Sequence, residues 1–279
     1  MICYMFPGQP LAREAQLPDD ADFAAIAALT LERTSLDLAS FAWTGTPSTE
    51  QVKLQVYGVA MSLYRNRFLR RQQAAPAVVA EHSMGIYPAM AACGAISEGE
   101  ALELALRIGV CMTGMGAADE YALGCVIGLR LEPLLAIAEN HGVYLANHNT
   151  SRHFLLSGRQ ANIAAALAEA LTAGAFSTSS FPCDAPLHSP LMEEIAGELG
   201  ALVSGYAYRE PCCSLVNHID QDVLTAADFP DFLVRELCLP VYWERTWHAL
   251  RHAGVTMFLE VGVGDSLKKF NRWIASELG

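Results

Sequence analysis

Short apolar runs alternate with longer stretches of helical spacing along most of this chain. Met1–Phe6 and Ala77–Ala80 are continuous apolar runs of strand length, as expected of strands buried on both faces, and Phe258–Val261, interrupted by Glu260, reads as another strand. Gln51–Leu69 and Ala101–Met112 carry apolar residues at helical spacing, and Ser97 with Glu100 forms a capping box before the second. Ser189-Pro190 reads as N-cap and first helical residue of a further helix, Leu191–Val203. Strands alternating with helices predict an α/β fold with a mainly parallel sheet.

Gly114-Met115-Gly116-Ala117-Ala118 reads as a joint. The next segment runs strand (Tyr121–Ile127), helix (Glu132–Asn140), strand (Val143–Asn147), strand (Phe154–Ser157), helix (Gln160–Ala173), strand (Ser177–Pro182). That β-α-β-β-α-β order is the ferredoxin-like signature. The expected organisation is a large α/β domain, residues 1–118 and 186–279, with a small ferredoxin-like domain, 119–185, inserted in it.

Composition narrows the function. Of 279 residues, 52% are apolar and only 17% charged, and mean hydropathy is +0.24. No stretch reaches the ~18 uninterrupted apolar residues of a membrane span, and Met1–Phe6 lacks the basic flank of a signal peptide. The expectation is a cytoplasmic protein with no membrane partner. Net charge is −12, with 3 Lys and 15 Arg, which argues against nucleic acid. Arg65, Arg67, Arg70 and Arg71 are the exception: a solvated helix end, or a landing point for an acidic partner. The eight cysteines form no CxxC pair, so buried thiols are expected and no metal site.

The chemistry concentrates at Ala77-Val78-Val79-Ala80-Glu81-His82-Ser83-Met84-Gly85-Ile86, an apolar strand, a tight turn and an apolar helix. Such a turn lifts a serine hydroxyl clear of the sheet and faces it with the first helical amides, as in a nucleophile elbow. An ordinary strand–helix turn with a surface serine is the alternative. Serine needs a base at neutral pH, and His188 stands out among eight histidines because it lies where the inserted segment returns to the main body. Arg107 interrupts an apolar helix, as a snorkelling edge residue or as an anion clamp.

Phe6-Pro7-Gly8-Gln9, His82-Ser83-Met84-Gly85 and His188-Ser189-Pro190-Leu191-Met192 resemble, in that order, motifs of malonyl-CoA:acyl-carrier-protein transacylases and polyketide acyltransferase domains. Asn147-His148-Asn149, Pro240-Val241-Tyr242-Trp243 and Glu260-Val261-Gly262-Val263-Gly264 extend the resemblance over nearly the whole chain. The resemblance implies an α/β-hydrolase-like large domain and acyl transfer from a CoA thioester to the phosphopantetheine of an acyl carrier protein. Ser83 would be the nucleophile and His188 the base, held by the Leu239 carbonyl. The Gln9 and Met84 amides would form the oxyanion hole, and Arg107, Leu187 and Asn147 would contact the acyl substrate. No bound cofactor is implied, since CoA and phosphopantetheine belong to the substrates. The alternative is an acyl hydrolase using the same serine. Departures from the family pattern include Glu81 in place of the first elbow glycine, Ile86 where Glu is common, Pro10-Leu11-Ala12 after Gln9, Val263 where Pro is usual, and Arg107 one residue early.

Overall fold

The computed structural model describes residues 1–40, 47–73, 75–115 and 120–278, with side chains from 51 onward in the second segment. In chain order the elements are β1 (Ile2–Phe6), α1 (Ala21–Thr34), α2 (Pro47–Gln72), β2 (Val78–Glu81), α3 (Ile86–Ala92), α4 (Glu98–Thr113), β3 (Tyr121–Ile127), α5 (Leu131–His141), β4 (Tyr144–Thr150), β5 (His153–Arg159), α6 (Gln160–Thr172), β6 (Ser177–Cys183), α7 (Ala196–Val203), β7 (Ser214–Val216), α8 (Phe229–Cys238), α9 (Trp243–His252), β8 (Met257–Glu260) and α10 (Ser266–Glu277).

The large sheet is parallel in the order β7-β2-β1-β8. Its strands read as continuous apolar runs because both faces are covered. Tyr4, Phe6 and Val79 enter a core shared with α2, α3, α4 and α8, while Cys3, Met5, Val78 and Ala80 pack with Trp243, Trp247 and Ile274 of α9 and α10. The expected strand Ala77–Ala80 lies one residue later, at Val78–Glu81. Glu81 is therefore the last strand residue, paired with Phe6, and is fully buried.

The second sheet is antiparallel, in the order β4-β5-β3-β6. With α5 and α6 it gives the ferredoxin-like topology, and every element from β3 to β6 falls inside the expected 119–185 segment. Gly124 lets α6 approach, since a Cβ there would lie 2.9 Å from Ile163 and 3.1 Å from Leu167. The joint read at Gly114–Ala118 lies outside the described residues from 116 onward.

Local departures have identifiable causes. The Ser97–Glu100 capping box is present, whereas Ser189 does not cap: its hydroxyl donates to the Pro186 carbonyl at 2.6 Å. The chain after it runs as a 3₁₀ segment, Pro190–Ile195, before α7. The arginine run on α2 is structural. Arg65 pairs with Glu14 at 2.6 Å, Arg67 with Glu98 and Arg71 with Asp22, while Arg70 donates to the Ala92 carbonyl. Five of the eight cysteines are buried and Cys212 is exposed. Among the described residues no helix is long and apolar enough to cross a membrane.

Candidate active site

The turn after β2 brings Ser83 to a sharp corner. Ser83 has φ +56°, and residues 83–85 form one 3₁₀ turn leading into α3. A left-handed serine costs about 1–2 kcal/mol, held here by its surroundings. The His82 amide donates to the Phe6 carbonyl at 3.0 Å and the Gly85 amide to the His82 carbonyl at 3.1 Å. Gly85 must be glycine for space: a Cβ there would lie 2.2 Å from the Phe6 carbonyl oxygen. A Cβ on Gly8 would lie 3.6 Å from the Ser83 Cβ, so the loop carrying Gln9 runs alongside the nucleophile.

The Ser83 hydroxyl lies 2.7 Å from His188 Nε2 across 105 residues of chain. His188 Nδ1 donates to the Glu236 carbonyl at 2.7 Å, and its amide to the Leu237 carbonyl at 2.8 Å. The acceptor expected at Leu239 is thus Glu236, with the Leu239 carbonyl a smaller influence on the ring. The cause is Pro240. In a continuing helix the residue-240 amide would bond the Glu236 carbonyl, but proline has none. The Val241 amide turns instead to Ala146, freeing the Leu237 carbonyl as well. The open C-terminal turn of α8 orients the imidazole and presents it with the negative end of the helix dipole.

This contact fixes the tautomer, with the proton on Nδ1 and a lone pair on Nε2 facing the serine. Burial, with His218 beside it, pushes His188 down to about 3, so the ring is neutral at physiological pH and can accept a proton. His82 is also buried and pushed down, to about 4, and its Nε2 bonds Asn149 Oδ1 at 2.9 Å.

Asn147 is buried, with its side-chain nitrogen 3.5 Å from His82 Nε2, beside the residue that precedes the nucleophile. Leu187 sits beside His188, half-buried against the core. The Gln9 side chain bonds Gln51, which reaches the Pro182 carbonyl at 3.1 Å and so ties the elbow side to β6.

Arg107 is the clearest correction. Its side chain is 48% exposed, bonds the Tyr206 hydroxyl at 3.1 Å and lies 3.6 Å from Glu103. One residue of α-helix rotates a side chain by about 100°, and here Ile108 faces the core instead. Arg107→Ala is therefore expected to leave malonyl-CoA loading within about twofold of the parent, the usual size of a surface change. A tenfold loss confined to carboxylated acyl groups would contradict this placement.

The structure brings Ser83 and His188 together and sets beside the base two residues the sequence does not single out, His218 and Glu236. Glu81 accepts from the His218 amide at 3.0 Å and contacts its Nδ1 at 2.7 Å, with both side chains fully buried. Glu81 in place of a glycine was the one signal in the chain. Nothing in the sequence points from residue 81 to residues 218 and 236.

Residues 18–263 match the acyl transferase domain family. The malonyl CoA-acyl carrier protein transacylase of Escherichia coli (strain K12) is 28% identical over 292 residues, covering 99% of this chain and 94% of that protein. The one from Bacillus subtilis (strain 168) is 30% identical over 207 residues, covering 71% of this chain and 65% of that protein. The crystal structure of the acyl-carrier-protein S-malonyltransferase from Burkholderia pseudomallei superimposes with a TM-score of 0.90 at 25% identity, covering 99% of this chain and 94% of that one. A type II PKS acyl-carrier protein in complex with its malonyl-transacylase gives a match of TM-score 0.91 at 24% identity, covering 99% and 93%. With the fold, the elbow and the Ser83–His188 pair in place, the chain belongs to the acyl transferase domain family.

Proposed function

We propose that this chain moves a malonyl or closely related acyl group from CoA to the phosphopantetheine thiol of an acyl carrier protein, through an acyl-Ser83 intermediate. The observation that carries this reading is the 2.7 Å contact between the Ser83 hydroxyl and His188 Nε2 at a strained strand–turn–helix corner. Segment 119–185 acts as an inserted small domain, and a cytoplasmic location goes with these soluble substrates.

His188 takes the serine proton as Oγ attacks the thioester carbonyl. The tetrahedral oxyanion is received by the Gln9 and Met84 amides, next to the strained corner and at the start of the turn into α3. The C–S bond then breaks, and the proton on His188 goes to the departing CoA sulfur. In the second half-reaction the carrier thiol gives its proton to His188 and attacks acyl-Ser83. The C–Oγ bond breaks and serine recovers its proton, giving ping-pong transfer. Both CoA and carrier are substrates. Leu187, adjacent to the base, shapes the acyl side of the site. Lys268 and Arg272, both exposed on α10, are the cationic side chains offered to an acidic carrier.

Malonyl is the acyl group named for the relatives above. The outward Arg107 favours a second reading, an acyl hydrolase that accepts groups without a free carboxylate. The partition of preloaded acyl-enzyme separates the two. Transfer predicts that carrier discharges acyl-Ser83 at least about tenfold faster than water alone, the difference a tuned acceptor site supplies. Equal discharge rates with and without carrier would establish the hydrolase.

A further inference from the structure

Behind the catalytic pair lies a closed cluster of ionisable groups that the transfer steps do not use. Glu81, His218 and Glu236 are all at most 1% exposed. Glu81 bonds His218 Nδ1 and its amide, leaving His218 Nε2 unpartnered. Neither buried carboxylate oxygen of Glu236 completes a well-aligned hydrogen bond, nor does the Tyr87 hydroxyl, which lies close enough to favour the charged form of Glu236. A carboxylate oxygen of Glu236, a ring nitrogen of His218 and a ring nitrogen of His188 all lie within 4.8 Å of one another. The His188 and His218 rings stand edge to face, 6.0 Å apart.

Two carboxyls and an imidazole buried this close together cannot titrate independently. Orphaned buried polar atoms in such numbers call for an explanation. We propose that Glu81, His218 and Glu236 act together as positioning residues, a proton-sharing unit whose single negative charge sets the basicity of His188. In its working form the trio holds one proton fewer than its uncharged form, so the unit carries net charge −1. When His188 accepts the serine proton, the new imidazolium finds this charge within 4.8 Å, in a medium where ion pairs are strong. A buried imidazolium without a counter-charge is costly, and Nδ1 has only a carbonyl.

The titratable groups facing the cluster are Glu81 from β2, His82 from the turn after it, Tyr87 from α3, His188 from its loop, Glu236 from α8, and His218 with Asp220 from the turn after β7. Burial raises both carboxyls and lowers both imidazoles, so in mild acid the carboxyls are protonated, the imidazoles neutral, and the unit uncharged. Raising the pH removes one proton and switches on the negative charge. The sign follows: the benefit to acylation is absent in acid and grows as pH rises through the unit's ionisation.

The test is single-turnover acylation of Ser83 by malonyl-CoA from pH 5 to pH 9, in the parent, Glu236→Gln, Glu81→Gln and the double variant. On the acid side of the activity rise, parent and Glu236→Gln are expected to agree within about threefold. On its alkaline side the parent should be faster by about tenfold or more, the effect of roughly one pH unit in base strength. Acyl-CoA affinity should not change, and the double variant should lose little more than either single one, as for residues acting as a unit. A rate ratio constant across the pH range would mean a merely structural role and would overturn the proposal. So would stoichiometric zinc in the purified protein, which would make the trio a metal site. Should the variants fail to fold, infrared titration of the parent decides: a buried carboxylic-acid band must lose intensity at the midpoint of the activity rise. A band that does not titrate with activity overturns the proposal. The proposal rests on the Ser83–His188 reading. Failure of that reading shows as no acyl-serine in the parent, whereas failure of this one shows as normal acylation with a flat ratio.

Discussion

Replacing Ser83 by Ala is expected to lower acyl transfer by at least about 1,000-fold, because no other group can form the covalent intermediate. The fold should survive. Ser83 makes one side-chain hydrogen bond, to His188 Nε2, and an alanine at φ +56° is no more strained than the serine it replaces. His188→Ala should cost a similar factor, and the double variant little more, since nucleophile and base act together. An unchanged melting temperature with lost transfer is the expected pair of readings. Transfer retained within tenfold in Ser83→Ala would require a different nucleophile.

Gly85→Ala is expected to be the most damaging glycine-to-alanine change among the described residues. The added Cβ would lie 2.2 Å from the Phe6 carbonyl oxygen, 2.7 Å from its carbon and 2.9 Å from the Pro7 carbonyl. These are backbone atoms of the central strand and its exit, so no rotamer change relieves the clash. Overpacking of this kind costs about 3 kcal/mol or more, roughly 5–10 °C in Tm for a chain of this size. The same displacement moves Ser83 from His188, so acylation falls as well. Thermal unfolding with single-turnover kinetics on the folded fraction measures both. By contrast Gly197→Ala, with open space around its Cβ and a place inside α7, should be neutral or slightly stabilising.

Much of this was legible along the chain, for local reasons. The small domain was readable because each of its elements is short, bounded by turn residues and paired with near neighbours in sequence. β3, β5 and β6 lie within one residue or two of their expected limits. The elbow was readable because a strand, a tight turn and a helix must follow one another directly. Contacts between distant segments were not legible. Arg65, Arg67 and Arg71 look like an exposed cationic run until α1, α4 and the loop before α1 bring Asp22, Glu98 and Glu14 onto them. Arg107 is a clamp or a surface residue depending on a 100° turn of helix phase, which spacing alone does not set. The carbonyl that holds His188 was assigned to Leu239, but Pro240 decides it by lacking the amide that would occupy Glu236. That signal lay in the sequence, and reading it required knowing that residues 229–238 form a helix.

Glu81 shows the same limit from the other side. A carboxylate at the end of a buried strand is an anomaly that the sequence exposes. Its partner, His218, is 137 residues away, and only the fold reveals that the pair sits behind the catalytic base.

In the proposed reaction Ser83 carries the acyl group between two thiols. Mixing the protein with malonyl-CoA, quenching in acid and mapping the adduct by peptide mass spectrometry tests this. One malonyl group is expected on the peptide containing Ser83, none in Ser83→Ala, and loss of the adduct when an acyl carrier protein bearing phosphopantetheine is added. No adduct with any acyl-CoA, or an adduct on another residue that persists in Ser83→Ala, would contradict it.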